Sequence, residues 1–154
     1  MSGKEQDFIK EAFDTNWVVP LGPNVNAFEK SLRDFLIENG KLKVEDEGKQ
    51  VVALSAGTAA LHLGLILLGV QAGDEVICQS FTFCASANPV TYLGATAVFV
   101  DSEEDTWNMN PVLLEEAIRD RIAKTGREPK AIIPVHLYGM PVKIDEVMEV
   151  ANRY

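Results

Sequence analysis

Residues 1 to 50 are polar and helical in pattern, with a break at Pro20-Leu21-Gly22-Pro23. After the break, Val25, Phe28, Leu32, Phe35 and Leu36 recur at helical spacing. Asn24 or Asn26 is placed to cap that helix, and Asn39-Gly40 to stop it. Lys41 to Gln50 is charged and reads as a solvated loop. From Val51 the texture changes. Val51-Val52-Ala53-Leu54, Glu75-Val76-Ile77-Cys78, Ala97-Val98-Phe99-Val100 and Ala131-Ile132-Ile133-Pro134-Val135 are short apolar runs without period-two polarity. Helical stretches separate them: Thr58 to Leu68, Ala85 to Leu93, and one from Asn110-Pro111 through Ile122. A last helix opens at Lys143-Ile144-Asp145, with Val147, Met148, Val150 and Ala151 as its apolar face. Strands of this kind are covered by helices on both faces, so the pattern predicts a three-layer α/β sandwich with a mainly parallel sheet.

Composition narrows the class. The chain is 47% hydrophobic and 24% charged, which is too apolar for a disordered chain. No run of eighteen apolar residues exists to span a membrane as a helix, and the first residues do not read as a signal peptide. A net charge of −9 argues against a nucleic-acid partner, which requires a basic face. Cys78 and Cys84 are too few for a disulfide scaffold and, with only His62 and His136, supply no metal set. The reading is a cytoplasmic protein with reduced thiols.

Three segments have the makings of a site. Ser55-Ala56-Gly57-Thr58-Ala59-Ala60-Leu61-His62 joins a strand to a helix, and small residues at a helix N-terminus let an anion reach unpaired N–H groups. The same turn reads equally as an ordinary one with a Thr cap. Neither G-x-G-x-x-G nor the P-loop pattern is present, so a single phosphate monoester fits better than a dinucleotide or triphosphate. Gln79 to Ala87 follows the second strand, at the sheet edge where open α/β folds bind ligands. Phe83 there is placed to stack on a flat ring, whereas Phe81 reads as core. Cys84 reads as a buried, inert thiol ahead of a nucleophile served by His136. Pro134 to Pro141 follows the fourth strand at the same edge. His136 reads as a structural hydrogen-bonding group first and a proton carrier second.

These segments form an ordered series that resembles the N-terminal part of the DegT/StrS-type sugar aminotransferases, pyridoxal-phosphate enzymes of fold type I. Trp17-Val18, Gly22 and Phe28-Glu29 look like the family's opening segment. Ser55 to Leu61 is similar to its phosphate loop, Gly73-Asp74-Glu75-Val76-Ile77 to its "GDEVI", and Phe81 to Asn88 to its "TF-x-A-T-A-N". Gly94-Ala95 with Val98 to Asp101, and Ile132 to Gly139, match two further blocks. The resemblance implies that Gly57, Thr58 and Ala59 hold the cofactor phosphate, that Phe83 stacks on the pyridine ring, and that His136 and Tyr138 line the site. It places Trp17 to Pro23 near the substrate mouth. Gln79 or Ser80 stands where the family has a Pro, Ser86 where it has a Thr, and Lys41 to Gln50 is longer. These departures bear on substrate fit more than on cofactor binding.

The implied substrates are a keto-sugar nucleotide and an amino-acid donor such as glutamate, in surface polysaccharide or related sugar biosynthesis, with a homodimer as the working form. The implied organisation is an N-terminal helical segment and loop over 1–50 and the first part of the cofactor-binding large domain over 51–154. The resemblance puts the Schiff-base lysine and the aspartate at the pyridinium nitrogen beyond Tyr154, together with the rest of the large domain and the small domain. The 154 residues alone are then expected to be inactive. Other readings from the sequence are a sugar 3-dehydratase of the same family, a non-catalytic fragment, and a small phosphate-binding α/β module.

Overall fold

The computed structural model describes residues 2–41 and 51–154. The reading of 41–50 as a solvated loop falls, from residue 42 on, outside the described residues. The chain divides into two compact units, residues 1–53 and 54–154.

The first unit holds α1 (Glu5–Asp14) and α2 (Pro23–Glu38), and neither helix buries a residue completely. The cap of α2 is Gly22, not Asn24 or Asn26, because Pro23 takes the first helical position. There its missing N–H costs nothing and its fixed φ suits the helix. The Trp17 indole donates to the Leu21 carbonyl and lies over Gly22, where a Cβ would sit 2.1 Å from Nε1. Val51 to Ala53 do not form the predicted strand, and Leu54 beyond them is not strand either. Among the described residues no strand pairs with this run; the Ala53 N–H instead donates to the Glu29 carboxylate at 2.8 Å. A strand needs a neighbour to satisfy its main chain.

The second unit is a three-layer α/β sandwich. Its parallel sheet has the order β2-β1-β3, with β1 Glu75–Gln79, β2 Thr96–Val100 and β3 Ala131–Ile133. The described residues thus contain three strands where the sequence pattern predicted four. Register runs from Glu75 opposite Thr96 to Gln79 opposite Val100, and from Val76 opposite Ala131 to Cys78 opposite Ile133. Alternation along β1 sorts the core. Val76 and Cys78 pack with Leu65 of α3 (Gly57–Leu67) and Val90 of α4 (Asn88–Tyr92). Ile77 faces the other way, onto Leu114 and Ile118 of α5 (Pro111–Thr125) and Val147 and Val150 of α6 (Ile144–Ala151). The predicted helix over 85–93 is broken into a 3-10 turn, Cys84–Ser86, and α4. Pro89 explains the break, since a proline is tolerated in a first helical turn but not inside a helix.

Local signals hold the layers in place. Asn110 caps α5, its side chain accepting from the N–H groups of Val112 at 2.9 Å and Leu113 at 3.3 Å. Gly126 ends that helix at φ 72°, a left-handed conformation that glycine adopts without a Cβ clash. Gly94 is also left-handed, and a Cβ there would meet the Ala72 Cβ at 3.0 Å. Arg121 of α5 grips Glu75 of β1 with three N···O contacts of 2.7 to 3.1 Å.

These packing roles rank in energy. Ile77→Ala removes a fully buried side chain between β1 and two helices and is expected to cost about 2–5 kcal/mol. Asn110→Ala removes only the cap and is expected to cost about 1 kcal/mol. Denaturant unfolding of the two variants checks the order; an equal or reversed pair contradicts it.

Candidate functional site

The site follows from which way each chain leaves the sheet. Beyond β1 the chain turns to α4 on one face. Beyond β2 and β3 it turns to α5 and α6 on the other. The carboxyl end of β1 is therefore open on both sides, as at a topological switch point.

On the β2 side lies a cavity of about 530 Å³ lined by Ser80, Phe81, Asp101, Ser102, Glu104 and Trp107, with Glu103 in its wall. Phe81 is half exposed there, edge-on to Trp107 at 6.2 Å, and is not the core residue the sequence suggested. Its position past the end of β1 takes it out of both packed layers. Glu103 is buried and accepts from the Asp105 N–H (2.9 Å), the Thr106 N–H (2.8 Å) and the Thr106 hydroxyl, and pairs with Lys143 at 3.1 Å. The Thr106 hydroxyl above all holds its carboxyl down, to about 2. Lys143 is held protonated, chiefly by Asp105 and then by Glu103. It is thus the opposite of a lysine tuned for nucleophilic attack. Three carboxylates and no cation line this cavity, so it disfavours a phosphate.

On the β3 side two aromatic rings meet. Phe83 projects beyond β1, 69% exposed, with its ring 6.3 Å from that of Tyr138 at 73°. Tyr138 sits in a left-handed conformation at φ 50° within the 3-10 turn Leu137–Gly139. Buried Asn108 clamps that turn, donating to the Met140 carbonyl at 2.9 Å and accepting from the Leu137 N–H at 2.9 Å. His136 accepts the Val142 N–H at Nδ1, 3.0 Å away, which makes it the structural group expected. In the neutral ring the proton then lies on Nε2. Cys84 is exposed rather than buried, because it opens a surface 3-10 turn. Cys78 is the buried thiol, and burial pushes its pKa up to about 11. No hydrogen bond joins Cys84 and His136 among the described residues.

Helix α3 packs on the 3-10 turn that follows Phe83. Its cap is Ala56, with no side-chain bond, so the Thr-capped turn is not what forms. Ala59 and Ala60 turn their N–H groups to the Ala56 carbonyl, at 3.0 and 3.2 Å. That leaves the N–H groups of Gly57 and Thr58 without a backbone acceptor among the described residues, and no acidic residue occupies the first turn. An anion answers that donor set. The sequence named Phe83, Tyr138 and the Gly57 turn, but missed Gln79 and Asn108. Their signal, a polar residue inside or beside an apolar run, was present but carries no partner information.

The sequence profile of the DegT/DnrJ/EryC1/StrS aminotransferase family matches residues 1–154. The chain belongs to this family. It is 49% identical over 154 residues to EpsN of Bacillus subtilis, a protein named as a pyridoxal phosphate-dependent aminotransferase. It is 40% identical over 154 residues to the GDP-perosamine synthase of Caulobacter vibrioides. Both alignments cover 100% of this chain and 37% of the relative. The crystal structure of a DegT/DnrJ/EryC1/StrS aminotransferase from Brucella abortus superposes with a TM-score of 0.80 at 36% identity, over 96% of this chain and 37% of that one. The chain thus spans little more than a third of the length of the family members it matches.

Glu103 generates a pH prediction. Its carboxyl ionises well below the ordinary value of 4.5, so its contribution to stability is complete above that pH and is lost as pH falls toward 2. Glu103→Gln is expected to lower the melting temperature at neutral pH, with the gap to wild type closing below pH 4.5. A gap independent of pH contradicts the assignment.

Proposed function

We propose that the protein carrying this chain transfers an amino group from an amino acid, such as glutamate, to a keto-sugar nucleotide, with pyridoxal phosphate as cofactor. The observation that carries the reading is the uncapped first turn of α3, on a helix that packs on the 3-10 turn following the exposed Phe83, in a chain of this family. Such a turn is a ready anion site. The relatives named above support the substrate class, one as a pyridoxal phosphate-dependent aminotransferase and one as a GDP-perosamine synthase. To this protein we assign a cytoplasmic setting and a role in surface polysaccharide or related sugar biosynthesis.

Pyridoxal phosphate would supply the carbon that carries the amino group and the ring that takes up the electron pair. The chain's own residues would bind and orient it. Gly57 and Thr58 would donate their N–H groups to the phosphate, and the Thr58 hydroxyl, which makes no hydrogen bond within the described residues, would add a third donor. Ala59 would contribute its small side chain and not its N–H, which Ala56 occupies. Phe83 would stack on the ring, with Tyr138 bracing Phe83 from the side. His136 has an Nε2–H to offer and no acceptor, because Nδ1 is engaged. The domain organisation that follows is a helical N-terminal segment over 1–50 leading into the first part of a cofactor-binding domain over 51–154. Helix α3 carries no charge, and it exposes Leu63, Ile66 and Leu67, the last at 79%. A helix apolar on all sides belongs in an interior, and a second copy of the protein is the cover we assign to it.

The phosphate contact is separable from the ring contact. In the full-length protein, Thr58→Val is expected to weaken pyridoxal phosphate about tenfold, the worth of one hydrogen bond to a charged group. Binding of pyridoxal, which has no phosphate, should stay near wild type. Equal losses for the two ligands, or none for either, contradict the assignment.

A further inference from the structure

We propose that Gln79 is a positioning residue for the Phe83–Tyr138 pair: its buried side-chain amide sets the Phe83-bearing edge against the His136–Tyr138 segment. The cofactor half of this inference rests on the reading just given.

The ladder between β1 and β3 ends at Cys78 opposite Ile133. The next residue on the β3 side is Pro134, which has no N–H to continue it. At that point the Gln79 side chain takes over from the main chain. Its Oε1 accepts the Val135 N–H at 3.0 Å, across 56 residues of sequence, and its Nε2 donates to the Phe81 carbonyl at 2.8 Å. Gln79 itself is 0% exposed. Its main chain meanwhile stays in register with Val100 of β2, and the following Ser80 N–H donates to the Val100 carbonyl at 2.8 Å. One residue therefore ties together three chains where they part. An amide placed between two main chains also spaces them wider than a direct ladder does. Phe83 and Tyr138, their rings 6.3 Å apart, stand on the two chains just beyond that point.

The site requires one donor and one acceptor in fixed places. Glutamine meets this, as does a protonated glutamic acid, whose O–H donates to Phe81 while its carbonyl accepts from Val135. An ionised glutamate does not, since it turns a second acceptor toward the Phe81 carbonyl. Methionine fills the volume and bonds neither group, leaving a buried donor and acceptor unmade.

The test uses the full-length protein with Gln79→Met and Gln79→Glu. One readout is hydrogen-exchange protection of the Val135 amide without cofactor. The other is pyridoxal phosphate affinity relative to wild type, across the range from about pH 5 to 8 in which a buried glutamate titrates. Cys78, Cys84, Asp101, Glu103 and His136 are the ionisable groups on the surrounding segments; the wild type carries them all, so the ratio removes them. Gln79→Met is expected to lower Val135 protection and cofactor affinity each about tenfold. Gln79→Glu should match wild type in both at the acid end and fall toward the Met variant as it ionises, a trend a purely steric role does not produce. Unchanged Val135 protection in both variants overturns the clamp. Altered protection with unchanged affinity overturns the positioning role. A wild type that binds no pyridoxal phosphate sinks the cofactor reading instead, and the exchange trend of the Glu variant then decides the clamp by itself.

Discussion

Strand β1 is the constraint from which the rest of the second unit follows. It is paired on both edges, so its main chain is satisfied only with β2 and β3 in place. It is covered on both faces, so Val76 and Cys78 must find one helical layer and Ile77 the other. A strand held in this way gives its neighbours no choice of register, because a one-residue slip exchanges the two cores. It also forces the outgoing chains apart at its carboxyl end. Phe83 and Tyr138 stand on two of the chains that leave this end, and Gln79 bridges those chains at their root.

Two helix N-termini show how the fold treats its own orphan donors. Helix α5 is closed by its own Asn110 and asks for nothing from outside. Helix α3 begins at Ala56 with no side-chain cap, no acidic residue in its first turn, and two N–H groups without a backbone acceptor among the described residues. The loop beyond β2 instead gathers Asp101, Glu103 and Glu104 around a cavity. The open turn attracts a phosphate and the acidic cavity repels one, although the chain as a whole is acidic.

Much of this was legible in the residues. The Asn110-Pro111 start and the alternation of apolar runs with helical ones are local signals, and the fold obeys them. The three-layer class followed from strands without polar alternation, and β1 bears that out. What failed depended on partners far along the chain. Val51 to Leu54 has strand composition, but composition cannot supply a neighbour. Phe81 and Cys84 were judged by type, whereas their exposure is set by where β1 ends. Phe83 and Tyr138 were each placed at the sheet edge from the sequence, and their approach became visible only once β1 and β3 were adjacent. The bridging role of Gln79 was not legible, because its partner is Val135, 56 positions away.

If the first turn of α3 and Phe83, and not the acidic cavity on the β2 side, take the phosphate-bearing cofactor, diffraction from crystals of the full-length protein grown with pyridoxal phosphate shows it most directly. Phosphate oxygens are expected within hydrogen-bonding reach of the Gly57 and Thr58 N–H groups, with the pyridine ring lying on Phe83. Cofactor density beside Trp107, or a phosphate that leaves the first turn of α3 untouched, contradicts it.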